Sequence, residues 1–148
     1  MVKIMKIVSQ LLQAKGSNVW AVEPDATVFT ALKLMAEKNV GALLVLRQGH
    51  MIGVFSERDY ARKMILKGKH SKHTLVREVM TESPICVGPG KSIEECMALM
   101  TDNHIRHLPV LEGDHLLGVV SMGDVVKSII VEQQGTITDL EDYITGKR

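Results

Sequence analysis

Aromatic side chains are scarce in this chain: one tryptophan, two tyrosines and two phenylalanines, 3% of 148 residues. That scarcity excludes a stacking platform for single-stranded nucleic acid, which needs a ring face at successive bases. Cysteine is rarer still. Cys86 and Cys96 are the two, with no C-x-x-C spacing, so no disulfide framework is implied and both read as small buried hydrophobes. Such sparing use of cysteine fits a cytoplasmic protein. An excess of charge of one sign is also missing. Eighteen Lys and Arg stand against seventeen Asp and Glu, interspersed, for a net charge of +1, and the basic footprint that duplex nucleic acid requires is absent. Apolar runs are too short to span a bilayer, which removes a membrane partner from the expectation. The segment from Met1 to Leu12 sets Ile4, Ile7, Val8, Leu11 and Leu12 among Lys3, Lys6, Ser9 and Gln10. This pattern is amphipathic rather than that of a signal peptide, and predicts a short docking helix.

What remains is an ordinary globular composition, 45% hydrophobic and 24% charged. A chain of this length makes one compact domain or two very small ones, burying roughly 68–70% of its unfolded surface.

Internal repetition organises the chain. Pro24 and Pro89 stand 65 positions apart, and the same offset pairs Val22 with Val87, Met35 with Met100, Leu43 with Leu108 and Val45 with Val110. It continues without a gap through His50 and His115, Gly53 and Gly118, Ser56 and Ser121, Asp59 and Asp124. Each copy parses alike. An extended piece (Val19 to Val22; Pro84 to Val87) precedes a proline turn, and Thr27 or Ser92 then offers an N-cap to a helix. Val28, Ala31, Leu32 and Met35, or Ile93, Cys96, Met97 and Met100, give that helix one apolar face. Two β-type runs follow in each copy, Ala42 to Leu46 with Met51 to Phe55, and Leu108 to Leu111 with Leu116 to Val120. Gln48-Gly49 and Gly113-Asp114 lie in the turns, so both pairs read as hairpins. A last helix begins at Ser56 or Ser121.

The predicted fold class is therefore α+β (mixed α/β), two βαββα repeats packed around a pseudo-twofold axis, since neither repeat encloses enough core to stand alone. Residues 1–18 form the docking helix and lead-in, 19–66 the first repeat, 67–79 a polar linker, 80–131 the second repeat and 132–148 a C-terminal helix or tail. Thr138-x-x-Glu141 is a capping-box pattern, which predicts a separate short helix in that tail.

The segment Gly53-Val54-Phe55-Ser56-Glu57-Arg58-Asp59 recurs as Gly118-Val119-Val120-Ser121-Met122-Gly123-Asp124, with the shared pattern G-h-h-S-x-x-D. Two readings stand side by side. Ser-x-x-Asp at a helix start is a capping arrangement, the serine oxygen accepting a backbone N–H and the carboxylate favoured by the dipole. The same helix start also offers N–H groups to a phosphate. The aspartate would repel that phosphate, but a carboxylate can accept from two adjacent ribose hydroxyls.

These motifs, with the run His104-Ile105-Arg106-His107-Leu108-Pro109-Val110 and the sequence Val79-Met80-Thr81, resemble a tandem pair of cystathionine-β-synthase (CBS) domains, a Bateman module. The resemblance covers nearly everything from Val19 to Ile130. It implies a regulatory protein that binds AMP, ADP, ATP or NAD, with S-adenosylmethionine a further candidate, in two clefts between the repeats. By position, Asp59 and Asp124 would hold ribose and Ser56 and Ser121 would approach phosphate. Arg106 and His107 align with Gly41 and Ala42, so the second copy alone brings phosphate-gripping donors there. Trp20 and Ile85 would lie beside the base, although core packing is an equal reading of Trp20. Arg58, aligned with Gly123, reads either as a phosphate contact or as a surface arginine. Ala42, Thr81, Pro109 and Gly123 complete the implied ligand set.

A catalytic role finds no support. Gly90-Lys91-Ser92 mimics the end of a P-loop, but that motif requires glycine at position 85, which is Ile85. No G-x-S-x-G or H-E-x-x-H occurs. His104-x-x-His107 lacks the cysteine or carboxylate partners of a four-ligand zinc site, and so do His70 and His73, so no metal is expected. The resemblance implies a homodimer that acts through self-association or on a separate regulated enzyme or transporter, and Val125, Ile129, Val131, Ile137 and Ile144 are the candidate interface residues. The competing reading is a ligand-free structural interaction module.

Overall fold

The computed structural model describes residues 5–16 and 18–145. The chain divides into two compact units, Asn18–Ile85 in one, and Met1–Ser17 together with Cys86–Arg148 in the other. Of the predicted docking segment, Lys3 and Ile4 lie outside the described residues.

In the Asn18–Ile85 unit a two-residue strand β1 (Ala21–Val22) leads through the proline turn to helix α2 (Val28–Lys38), following α1 of the other unit (Val8–Lys15) in chain order. Thr27 caps α2 by accepting the Thr30 amide at 3.2 Å, as its position before the apolar stripe predicts. Asn39 ends the helix in the left-handed conformation, φ 54°, a region asparagine tolerates better than most residues. Strands β2 (Ala42–Arg47) and β3 (His50–Ser56) form the hairpin, with Ala42 opposite Ser56 and a bulge after Val45. Helix α3 (Glu57–Tyr60) runs on as a π-helical turn over Ala61–Ile65. The stretch read as a polar linker is structured. It holds a 3-10 turn at Ser71–His73, a short helix α4 (Val76–Val79) and buried Thr74, Val76 and Val79, and leads into strand β4 (Thr81–Glu82). The sheet order is β1-β2-β3-β4, with β1 parallel to β2 and the rest antiparallel. Its core joins Val28, Ala31, Met35, Leu43, Val45, Phe55 and Met64 to Val76 and Val79.

The second unit repeats this plan with α5 (Ile93–Asp102), β5 (His107–Glu112), β6 (His115–Ser121) and α6 (Met122–Thr145). Ser92 caps α5 by accepting the Glu95 amide, and the β5–β6 bulge falls at the equivalent place, after Val110. Its core places Ile93, Cys96, Met100, Leu108, Val110 and Val120 where the other unit has Val28, Ala31, Met35, Leu43, Val45 and Phe55. The role of α4 is taken by α1. Val8 and Leu11 occupy the core as Val76 and Val79 do, and Gln10 reaches back to the Ile7 amide as Glu78 does to Leu75. Beyond this point the two differ, for α1 stays helical through Gln13 and Ala14 while the other chain segment turns into β4 at Thr81, in keeping with their helix propensities.

Several expectations are corrected here. The run Pro84 to Val87 is not a strand; only Val87 bridges to Val110. The cause is visible in the repeat: Leu44 donates its N–H to the Trp20 carbonyl at 3.0 Å, whereas its equivalent, Pro109, has no N–H to donate. The tail does not form a separate helix, because α6 continues unbroken to Thr145. Val125 is fully buried and Ile129 packs against the same core, so neither offers an interface. Cys96 is buried as expected, but Cys86 is half-buried. Burial holds both thiols above the usual range, away from the reactive thiolate.

Both hairpins leave no room for a side chain at one glycine. A Cβ on Gly53 would meet the Thr81 carbonyl oxygen and Met80 Sδ at 2.8 Å, while one on Gly118 would meet only the Leu12 methyl, at 2.9 Å. A backbone carbonyl cannot swing aside as a leucine methyl can. Gly53→Ala is therefore expected to cost about 1–3 kcal/mol in urea unfolding and Gly118→Ala distinctly less, with equal costs contradicting the packing described.

Candidate functional site

Each G-h-h-S-x-x-D segment carries the chain from the end of a strand into a helix, and the same three bonds fix both corners. The first helical amide is held by a carbonyl before the paired strand, Glu57 N to Gly41 O at 3.0 Å and Met122 N to Arg106 O at 2.8 Å. The serine oxygen accepts the aspartate amide, Asp59 N to Ser56 Oγ at 3.2 Å and Asp124 N to Ser121 Oγ at 3.1 Å. The aspartate in turn accepts the serine amide, at 3.0 Å for Asp59 and 2.9 Å for Asp124. This is a reciprocal capping arrangement in both copies. Capping by Ser and Asp is thus a fact of the fold, and what differs is the state of each carboxylate.

Asp59 is enclosed, at 6% exposure. Its Oδ2 accepts from the amide and hydroxyl of Ser56, and its Oδ1 from the Thr81 hydroxyl and the Lys63 ammonium, both at 3.0 Å. Lys63 is placed by the π-helical turn and also donates to the Val79 carbonyl at 3.1 Å. With two donors on each oxygen, this carboxylate has spent its accepting capacity on its own unit.

Asp124 is more open. Lys15, the last residue of α1, lies 2.6 Å from its Oδ2 and donates to the Val119 carbonyl at 2.8 Å; the Ser121 amide falls on the same oxygen. Oδ1 therefore has no protein donor among the described residues. Partial burial pushes the Asp124 carboxyl up, but the Lys15 hydrogen bond and charge and the Ser121 amide outweigh it and hold the group below its ordinary range.

The surroundings of this second corner are basic. His107 stands opposite Ser121 in the β5–β6 register, Arg106 immediately before it is exposed, and Lys15 arrives from α1. At the first corner Gly41 and Ala42 hold the places of Arg106 and His107. Gly123, exposed at the helix start, would let a ligand approach the backbone closely. Pro109 is buried in β5 and its carbonyl accepts from the Val87 amide. Trp20 is 39% exposed with Lys38 Nζ 4.5 Å above its ring, which corrects the core reading, and Ile85 is similarly exposed. Arg58 is exposed at the first helix start. A concavity of about 540 Å³ lies elsewhere, near the turn end of the first hairpin, and is lined by Arg47, Ile52, Arg77, Glu78, Met80, Glu82 and Ser83, none of them a predicted ligand residue. Lys15 and Lys63 are the residues that sequence reasoning missed. Lys63 follows Asp59 by one helical turn and could have been found from that spacing; nothing local marks Lys15.

The sequence matches the CBS domain family twice, over residues 13–66 and 76–131, and the chain belongs to that family. It is 43% identical over 138 residues to the mitochondrial CBS domain-containing protein CBSX3 of Arabidopsis thaliana, covering 90% of this chain and 66% of that protein, just under two thirds of its length. A CBS-domain structure from Burkholderia ambifaria superposes with a TM-score of 0.83 at 48% identity, covering 86% of this chain and 96% of that one. Arabinose 5-phosphate isomerase KdsD of Escherichia coli is 32% identical over 117 residues, 78% of this chain but 35% of the enzyme, so most of the isomerase has no counterpart in the match. The fold is the mixed α/β fold of CBS pairs, and the class is that of regulatory CBS-pair proteins. No helix among the described residues is long and apolar enough to cross a membrane.

The Lys15–Asp124 pair has a definite pH signature. A carboxylate held below its unfolded value adds stability above that value, about pH 3.9, and loses it as pH falls through the folded value. The pair is partly exposed, so its worth is on the order of 1 kcal/mol or less. In urea melts the stability gap between the wild type and Lys15→Gln is expected to be constant from pH 7 to about 5 and to close below about pH 4. A gap that persists at pH 2.5 would mean that Lys15 acts through packing instead.

Proposed function

We propose that this chain is a regulatory sensor that binds an adenine nucleotide, AMP, ADP, ATP or NAD, at the Asp124 corner, without transforming it. The observation that carries this reading is the contrast between the carboxylates: Asp124 keeps one oxygen without a protein donor beside Arg106, His107 and Lys15, while Asp59 has all four accepting positions in use. A ribose diol needs acceptors and a phosphate needs cations, and both are supplied there. S-adenosylmethionine fits less well, because its sulfonium would meet those same cations. The Asp59 corner then serves as structure, and one nucleotide binds per chain rather than the two that the motif pair implies.

The bound state is read out through self-association or a separate regulated enzyme or transporter. A cytoplasmic location accompanies this reading on the strength of the cysteine usage. Lys15 occupying Asp124 is the one observation that favours a ligand-free interaction module instead.

Calorimetric titration with AMP and adenosine distinguishes these readings. Wild type is expected to bind about one AMP per chain, and a ligand at a hundredfold excess over Kd to stabilise the fold by about 2.7 kcal/mol. Asp124→Asn should weaken both ligands roughly 10- to 150-fold, the worth of a hydrogen bond to a charged group. Arg106→Ala should weaken AMP by a similar factor and leave adenosine unchanged, since adenosine has no phosphate to lose. Asp59→Asn should cost stability and leave affinity alone. A melting temperature flat to millimolar nucleotide would establish the empty module, and loss of binding in Asp59→Asn would move the site to the first corner.

A further inference from the structure

The concavity beside the first hairpin lies away from the Asp59 corner and carries charge of both signs. Arg47, in its lining, ends β2, whereas the Asp59 corner adjoins Ala42 at the start of that strand, about 17 Å away. Its volume of about 540 Å³ falls within the range of small-molecule sites. Two irregularities of the backbone shape it. The bulge pairs Val45 with Gly53 and Leu46 with Met51, leaving Ile52 as the extra residue whose side chain is re-aimed. On the other side the chain passes through Ser83 at φ 48°, a left-handed conformation that serine seldom adopts.

Apolar side chains form the floor and ionic ones the rim. Ile52 and Met80 are half-buried and pack on the core of their unit. Arg47, Arg77, Glu78 and Glu82 stand around them, all exposed. No two of these four pair with each other. Arg77 uses its Nε on Asp25 at 3.1 Å, and Glu78 uses one oxygen on the Leu75 amide at 2.7 Å. The side chains of Arg47 and Glu82 have no partner among the described residues. In the second unit Glu112, Ser9 and Gln10 occupy the places of Arg47, Arg77 and Glu78, so this set of charges belongs to the first copy alone.

We infer that this concavity binds a free α-amino acid with an apolar side chain. A guanidinium group matches a carboxylate, and a glutamate matches an ammonium. A ligand with charge of one sign would satisfy one pair and be repelled by the other, which disfavours a phosphate compound here. A zwitterion satisfies both. Its side chain then lies on Ile52 and Met80, the latter adaptable in shape, and the Ser83 hydroxyl supplies a further donor to the carboxylate. The site is contained in the Asn18–Ile85 unit and does not depend on nucleotide at Asp124.

NMR titration of the full chain with L-leucine tests it. The amides of Ile52, Glu82 and Ser83 are expected to shift and to saturate together. L-leucinamide lacks the carboxylate and N-acetyl-L-leucine the ammonium, and each should bind roughly 10-fold more weakly. Glycine, with no side chain to bury, should lose about as much. Arg47→Gln should weaken leucine by a similar factor and leave leucinamide unchanged; Glu82→Gln should weaken leucine and leave N-acetyl-L-leucine unchanged. Both residues are exposed, so circular dichroism should be unaltered. Asp124→Asn should leave leucine binding as it is. Amides that stay still up to about 10 mM leucine, a hundredfold weaker than an ordinary small-metabolite affinity of about 0.1 mM, would overturn the site. Equal binding of leucine, leucinamide and N-acetyl-L-leucine would overturn its zwitterion chemistry, and leucine affinity indifferent to both substitutions would overturn its place in this concavity.

Discussion

Everything at the two helix-start corners depends on one hydrogen-bond exchange made at the other end of each unit. The helix that follows the proline turn cannot satisfy its own first amides, and a segment distant in sequence does so. Val28 N binds the Thr74 carbonyl and Val76 N the Ala26 carbonyl, both at 2.9 Å; Ile93 N binds the Lys6 carbonyl and Val8 N the Lys91 carbonyl, again at 2.9 Å. Arg77 N to Pro24 O and Ser9 N to Pro89 O complete the match. This two-way clamp fixes where α4 and α1 begin. Their apolar faces then enter the cores, and whatever follows them in the chain is delivered to the edge of the hairpin. In one unit that is Thr81, which reaches Asp59, and in the other it is Lys15, which reaches Asp124.

The same scaffold therefore produces two electrostatically different sites from small changes of side chain. Where the delivered residue is a threonine, the lysine that neutralises the carboxylate comes from the helix itself and the group is closed off. A delivered lysine instead approaches from solvent, bonds one oxygen and leaves the other. At Asp124 burial alone would favour protonation, and it is the cation and the serine amide that hold it charged. A charged, partly open carboxylate next to Arg106 and His107 is the arrangement on which the proposed nucleotide site rests. An enclosed one is a helix cap.

Much of this was legible in the sequence because it is local and occurs twice. The 65-residue offset forces helices, hairpins, bulges and caps to coincide, so that Thr27 and Ser92, or Ser56 and Ser121, could be read as equivalent before any coordinate was known. What was not legible is what acts over long separations with little identity. The segments that clamp the two helices share Val8 with Val76 and otherwise only a pattern of apolar residues, and their own offset is 68, not 65, so the repeat search passes over them. Lys15 and Asp124 are 109 positions apart. The tail was misread for the opposite reason, a local signal being overridden: Thr138-x-x-Glu141 is a capping pattern, but a helix already running through it has no free amides there to cap.

Ser128 shows how far the second copy has moved from the first. It occupies the position of Lys63, one turn after the aspartate, and is buried with its hydroxyl unpartnered among the described residues. In the first copy that turn is π-helical and aims Lys63 at Asp59. In the second the helix runs through without the distortion, there being no lysine to aim, and the cation comes from α1 instead. The neutralising charge thus comes not from the helix that bears the carboxylate but from a segment held by three backbone bonds and a few apolar contacts. On the proposed reading a ligand drawing on Asp124 would share that carboxylate with Lys15, which would couple its binding to the seating of α1. At Asp59, where the cation sits on the same helix, no such coupling exists.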